Sequence, residues 1–121
     1  MSDPKVNLDK MMQVWNTPES AVRERLVDEA MEHNVHFVDP NHNTIGHKAF
    51  LAMVDQVQKQ IPGAQYAQNS AIDVQNNFCR YHWKIDREGQ RIMNGFDTVE
   101  VNDAGRIVKV IGFFGPLAPD S

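Results

Sequence analysis

The chain has 121 residues, with 12 basic and 16 acidic side chains and a formal net charge of −4, the size of one domain able to bury a core and too short to divide into two. Its basic residues are scattered rather than clustered, which argues against a nucleic-acid surface, and no apolar run approaches the roughly 20 residues of a membrane span. One cysteine excludes an internal disulfide, and residues 1–15 lack the apolar run of a signal peptide, so the sequence reads as a single cytoplasmic domain over 1–121 with no nucleic-acid or membrane partner.

Ser2 or Asp3 ahead of Pro4 marks a helix start, because the N–H that proline lacks has no partner in the first turn. Leu8, Met11, Met12 and Trp15 follow at helical spacing, and this helix ends near Asn16. Thr17, Pro18 and Glu19 open a second helix, whose stripe is Val22, Leu26, Val27, Ala30 and Met31 and which Asn34 closes. Residues 35–39 form a short strand stopped by Pro40, with Val35, Phe37 and Asp39 on one face. A loop over 41–46 leads to a third helix carrying Phe50, Met53, Val54, Val57 and Ile61 on one side and ending at Pro62 and Gly63.

From residue 64 onward the pattern is of strands, with turns at 75–77, 86–89 and 102–105, so four successive strands form an antiparallel meander. Cys79, Tyr81, Trp83 and Ile85 make an inward apolar face, and Cys79 reads as a small buried hydrophobe. On the next strand Met93, Gly95, Asp97, Val99 and Val101 share a face, which puts a carboxylate among apolar neighbours. Lost hydration raises the pKa of such a group or forces it to find a donor, and a carboxylate satisfied by a nearby donor for structural reasons reads equally well. Val108, Val110, Gly112 and Phe114 share a face on the last strand, Ile107 falls on the other, and residues 116–121 are a strap or loose end.

A helical half followed by a meander gives an α+β architecture: a cone of three N-terminal helices packed in a curved, mainly antiparallel sheet of four long strands plus the short strand 35–39. Asp39 and Asp97 then point into one hollow, lined for a small hydrophobic molecule by Trp15, Met53, Tyr81, Trp83, Val110 and Phe114. Two carboxylates in an apolar pocket divide into a base and a protonated donor, which suits proton abstraction beside a carbonyl. Asp97, on a central strand, is expected to be the more deeply buried and the more strongly shifted, because Asp39 adjoins a polar loop that admits water. The five histidines have no metal-motif spacing and read as surface or loop residues, so neither a metal nor a cofactor is expected.

The order of elements resembles the nuclear transport factor 2-like (cystatin-like) superfamily, as do the Val38-Asp39-Pro40 step, Gly46 before the third helix, and the ending with Asn94-Gly95-Phe96-Asp97 and residues 103–115. Within it the chain is similar to the SnoaL-like group of polyketide cyclases, related to ketosteroid isomerases. That resemblance covers nearly the whole chain and implies Asp39 as general base and Asp97 as the oxyanion-hole aspartate. The isomerase's first-helix tyrosine is missing, Met11, Met12, Gln13 and Trp15 standing in its region, and Tyr81 is the candidate replacement. Similarity to limonene epoxide hydrolase fails at Gly95 and at the last strand, which lacks an aspartate. The implied function is a cofactor-independent isomerase, cyclase or lyase, and the alternative is a carrier or dimerisation module using the same cone. A homodimer through exposed sheet is also implied, with Phe78, Phe96, Ile111 and Phe113 on the outward face.

Overall fold

A computed structural model describes residues 3–120. Helix α1 spans Pro4–Asn16 and is capped by Asp3, whose carboxylate accepts from the Lys5 amide at 2.9 Å; Ser2, the other expected cap, lies outside the described residues. Helix α2, Ser20–Ala30, runs without a loop into β1, Met31–Asp39. The strand therefore begins four residues earlier than the periodicity predicts. Met31 satisfies a helical stripe and a strand face equally, no glycine or proline marks the junction, and the side chain is fully buried opposite Ile107.

The expected loop at 41–46 contains a short strand, β2, His42–Ile45, paired antiparallel with β1 through a two-residue turn at Pro40 and Asn41. Helix α3 spans His47–Gln60. The first meander strand is broken into β3, Gln65–Gln68, and β4, Asp73–Gln75, both of which pair with β5, Phe78–Arg87. At the break the Ser70 hydroxyl accepts from the His82 amide at 2.8 Å, so a side chain replaces the missing ladder bond. Strands β6, Gln90–Val101, and β7, Ile107–Phe114, complete a sheet in the order β2-β1-β7-β6-β5-β3, antiparallel except where β1 lies parallel to β7.

The three helices cover the concave face of this sheet. Leu8, Met11 and Val14 of α1, Leu26 and Val27 of α2, and Phe50, Met53 and Val54 of α3 bury against Val35, Val99, Val101, Ile107 and Val110. A bulge between Glu100 and Val101 pairs Val101 with Ile107, so Ile107 turns inward and Val108 becomes the extra residue, against simple alternation. Buried Arg23 fastens α2 to its surroundings: it donates to the Thr17 carbonyl at 2.5 Å, lies 3.3 Å from Asp55 and bonds Gln58, which itself donates to the Trp15 carbonyl. Among the described residues no helix is long and apolar enough to cross a membrane.

Candidate active site

Strand pairing aligns one row of side chains across the concave face. Tyr81 of β5 stands opposite Asp97 of β6, Asp97 opposite Gly112 of β7, and Asp39 of β1 opposite His42 of β2. The two halves meet at Gly112, where a Cβ would stand 3.0 Å from Asp97 Oδ1 and 3.5 Å from Asp39 Cβ. Having no side chain there, the sheet brings both carboxylates to one floor.

Asp97 is held from β5. The Tyr81 hydroxyl donates to its Oδ2 at 2.8 Å and the Trp83 indole N–H to its Oδ1 at 2.9 Å. Trp83 reaches across because Gly95 lies between it and Phe114: a Cβ on Gly95 would fall 2.1 Å from the Phe113 carbonyl and 2.5 Å from the indole ring. Burial raises the Asp97 pKa, the bonds from Tyr81 and Trp83 lower it and the Asp39 charge raises it, for a net value of about 7. The Tyr81 phenol is raised well above its ordinary value, first by burial and then by the Asp97 charge.

Asp39 is held by its own turn. Its Oδ1 accepts from the Asn41 amide at 2.8 Å, the hydrogen bond by which an aspartate caps a turn. His42 Nδ1 lies 2.9 Å from Oδ1 and 3.2 Å from Oδ2. Asp97 is the more buried of the two, and Asp39 is partly buried, its side chain 10% exposed with the His42 ring against it. Among the described residues no arginine or lysine pairs with either carboxylate; Arg80 bonds Asp73 on the outer surface.

Both carboxylates line a cavity of about 230 Å³ between α1, α3 and the sheet. Its walls include Trp15, Trp83 and Phe114 as expected, together with Met11, Met12, Phe37, Val57, Ile61, Tyr66 and Met93. Trp15 stacks on Tyr66 with ring centres 5.0 Å apart, and burial pushes the Tyr66 phenol up to about 12. Asn41, His42 and Gln60 add polar atoms.

Three of the expected lining residues lie elsewhere. Met53 and Val110 are in the sealed core, because the first half of α3 packs directly on the sheet and only its second half, with Val57 and Gln60, borders the cavity. Tyr81 stands behind Asp97 and faces a second hollow with Leu8, Met12, Tyr66 and Ile72. It meets the carboxylate of Asp97 and not the cavity wall, which distinguishes it from a tyrosine aimed at a ligand. In the sequence His42 reads as a loop histidine because only four residues separate Asn41 from Gly46; the available signal was the aspartate-proline-asparagine turn followed by alternation of His42 and Thr44 against Asn43 and Ile45. Among the described residues no group of three or more His, Cys, Asp or Glu is placed to hold a metal ion.

No family model and no curated protein matches the sequence. Solved structures do. A candidate isomerase of the SnoaL-like family from Agrobacterium tumefaciens str. C58 aligns over 96% of this chain and 100% of its own, at 27% identity and a TM-score of 0.88. A protein of unknown function from Cytophaga hutchinsonii, described as nuclear transport factor 2-like, aligns over 96% and 93% of the two chains at 12% identity and a TM-score of 0.70. A candidate SnoaL-like polyketide cyclase from Jannaschia sp. CCS1 aligns over 89% and 84% at 11% identity and a TM-score of 0.69, a likeness of fold alone. With three helices held in a curved, open, mixed sheet and these structures beside it, the chain has the nuclear transport factor 2-like fold and is similar to a SnoaL-like isomerase over nearly its whole length.

Proposed function

We propose that this protein is a small-molecule enzyme of the isomerase, cyclase or lyase kind, which moves a proton on a compact hydrophobic carbonyl compound without a cofactor. The observation that carries this reading is the pair of carboxylates on one apolar floor, with Asp97 driven to about 7. A carboxylic acid that keeps its proton near neutral pH can donate to a developing enolate oxygen, while the Asp39 end takes the proton from carbon. The likeness to a candidate SnoaL-like isomerase supports the reaction class. The cavity, about 230 Å³, is smaller than the ~300–1,000 Å³ of drug-sized sites, which favours one or two fused rings over a larger polycycle.

A carrier is the second reading, favoured by the fact that both Asp97 oxygens already have donors, as a purely structural carboxylate would. 5-Nitrobenzisoxazole separates the two. Loss of its C–H proton to a base breaks the ring N–O bond and releases a coloured phenolate, so it reports a general base in an apolar pocket. Wild type is expected to turn it over, Asp39→Asn to lose about 100-fold or more, and the variant to bind it undiminished. A wild type that binds the probe and turns it over no faster than the variant is a carrier.

We place a homodimer in the same reading, formed through the convex face. Phe113 is 47% and Phe78 52% exposed there, and Phe96 is half-buried because Phe113 stacks on it at 5.0 Å and His82 meets its edge.

A further inference from the structure

We propose that His42 is the catalytic residue that accepts the substrate proton, and that Asp39 is a positioning residue acting through it; this rests on the acid–base reading above. The carboxylate of Asp39 is already engaged. Oδ1 takes both the Asn41 amide and the His42 ring, and Oδ2 shares the same Nδ1. A nitrogen placed against two carboxylate oxygens must donate, so Nδ1 carries the hydrogen and Nε2 of the neutral ring carries a lone pair. Among the described residues Nε2 has no hydrogen-bond partner, and the side chain, 25% exposed, lines the cavity.

The backbone fixes this arrangement. His42 is the first residue of β2 and stands directly opposite Asp39, the last residue of β1, so the two-residue turn holds both ends of the dyad at once. An aspartate on Nδ1 sets the tautomer and orientation of the imidazole and stabilises the imidazolium that forms, as in any carboxylate–histidine pair that does proton chemistry. The other ionisable groups on the cavity wall are Asp97 from β6 and Tyr66 from β3.

The step balances without a further reactant. A C–H proton beside the substrate carbonyl passes to Nε2, its electron pair enters the enolate, and the enolate oxygen receives a hydrogen bond from protonated Asp97. The imidazolium returns the proton to another carbon of the same molecule, which completes an isomerisation.

Two measurements test the dyad. Ring ¹⁵N shifts of the neutral imidazole in wild type should show Nδ1 protonated and Nε2 bare, and Asp39→Asn should shift His42 toward the Nε2–H form that free imidazoles favour. On 5-nitrobenzisoxazole, His42→Ala should lose about 100-fold or more in kcat/KM with Asp39 intact, and added imidazole should restore turnover to His42→Ala but not to Asp39→Asn. Turnover surviving in His42→Ala and lost in Asp39→Asn makes Asp39 itself the base and overturns the proposal alone. An inactive wild type whose His42 is still held in the Nδ1–H form overturns the acid–base reading and leaves the dyad as turn structure. A ring in the Nε2–H form in wild type overturns the dyad whatever the turnover.

Discussion

Tyr81 donates its hydroxyl hydrogen to Asp97 at 2.8 Å from the directly opposed position on the neighbouring strand, so the phenol braces the carboxylate from behind the cavity floor. Tyr81→Phe deletes that donor without changing the ring. The loss should be largest where Asp97 is ionised, about 1.5–3 kcal/mol at pH 8, and about 1 kcal/mol at pH 5, where only a neutral bond is lost. Urea unfolding at the two pH values measures the difference; an equal loss at both would mean that Asp97 does not change charge between them.

Asp97 itself makes stability depend on pH. Its ordinary value is 3.8 and its folded value about 7, so between these the folded chain keeps a proton that the unfolded chain has released. Stability from this group is fully present below about pH 4 and is lost as pH rises through 7, by on the order of 4 kcal/mol over the interval. Asp97→Asn should flatten the dependence of the denaturant midpoint on pH between 4 and 7, whatever the variant's absolute stability. A slope unchanged by the substitution would assign the pH dependence to other groups.

Two glycines on the same face should respond differently to alanine. At Gly95 a Cβ meets a backbone carbonyl at 2.1 Å and the Trp83 ring at 2.5 Å, so Gly95→Ala has to displace both, at a cost of about 3 kcal/mol or more, and should alter tryptophan fluorescence as the indole leaves Asp97. At Gly112 the nearest atom is Asp97 Oδ1 at 3.0 Å, the end of a side chain, so Gly112→Ala should cost about 1 kcal/mol while filling the gap between the carboxylates and removing turnover of the probe. Thermal unfolding and probe kinetics on both variants check the contrast.

The alternation of β5 and β6 was readable because the inward positions are nearly all large and apolar, so Asp97 stood out as the one charge on its face. Asp39 was readable for the same reason on β1. What periodicity could not show was where the helices lift off the sheet. Met53 and Val57 share one helical stripe, yet Met53 is sealed in the core and Val57 borders the cavity. The bulge that turns Ile107 inward depends on how β7 pairs with β6, which no local pattern records, whereas the short β2 that presents His42 had a local turn signal and only four residues of alternation behind it.

The proposed dimer has its own test. With Phe113 and Phe78 exposed on the convex face, light scattering should give twice the 13.8 kDa chain mass. Phe113→Glu should give the monomer mass with the cavity intact, because its side chain points away from the concave face. A wild type that is monomeric at high concentration would show that the convex face forms no dimer.

Across Gly112 the Asp39 charge adds to the burial that raises the Asp97 pKa. Titration of the Asp97 side-chain carboxyl by ¹³C NMR, in wild type and in Asp39→Asn, tests it most directly. The midpoint should lie at about 7 in wild type and lower in the variant, since removing the Asp39 charge removes a cause of the rise. A wild-type midpoint near the ordinary value of 3.8, or one that does not move when Asp39 becomes Asn, would contradict it.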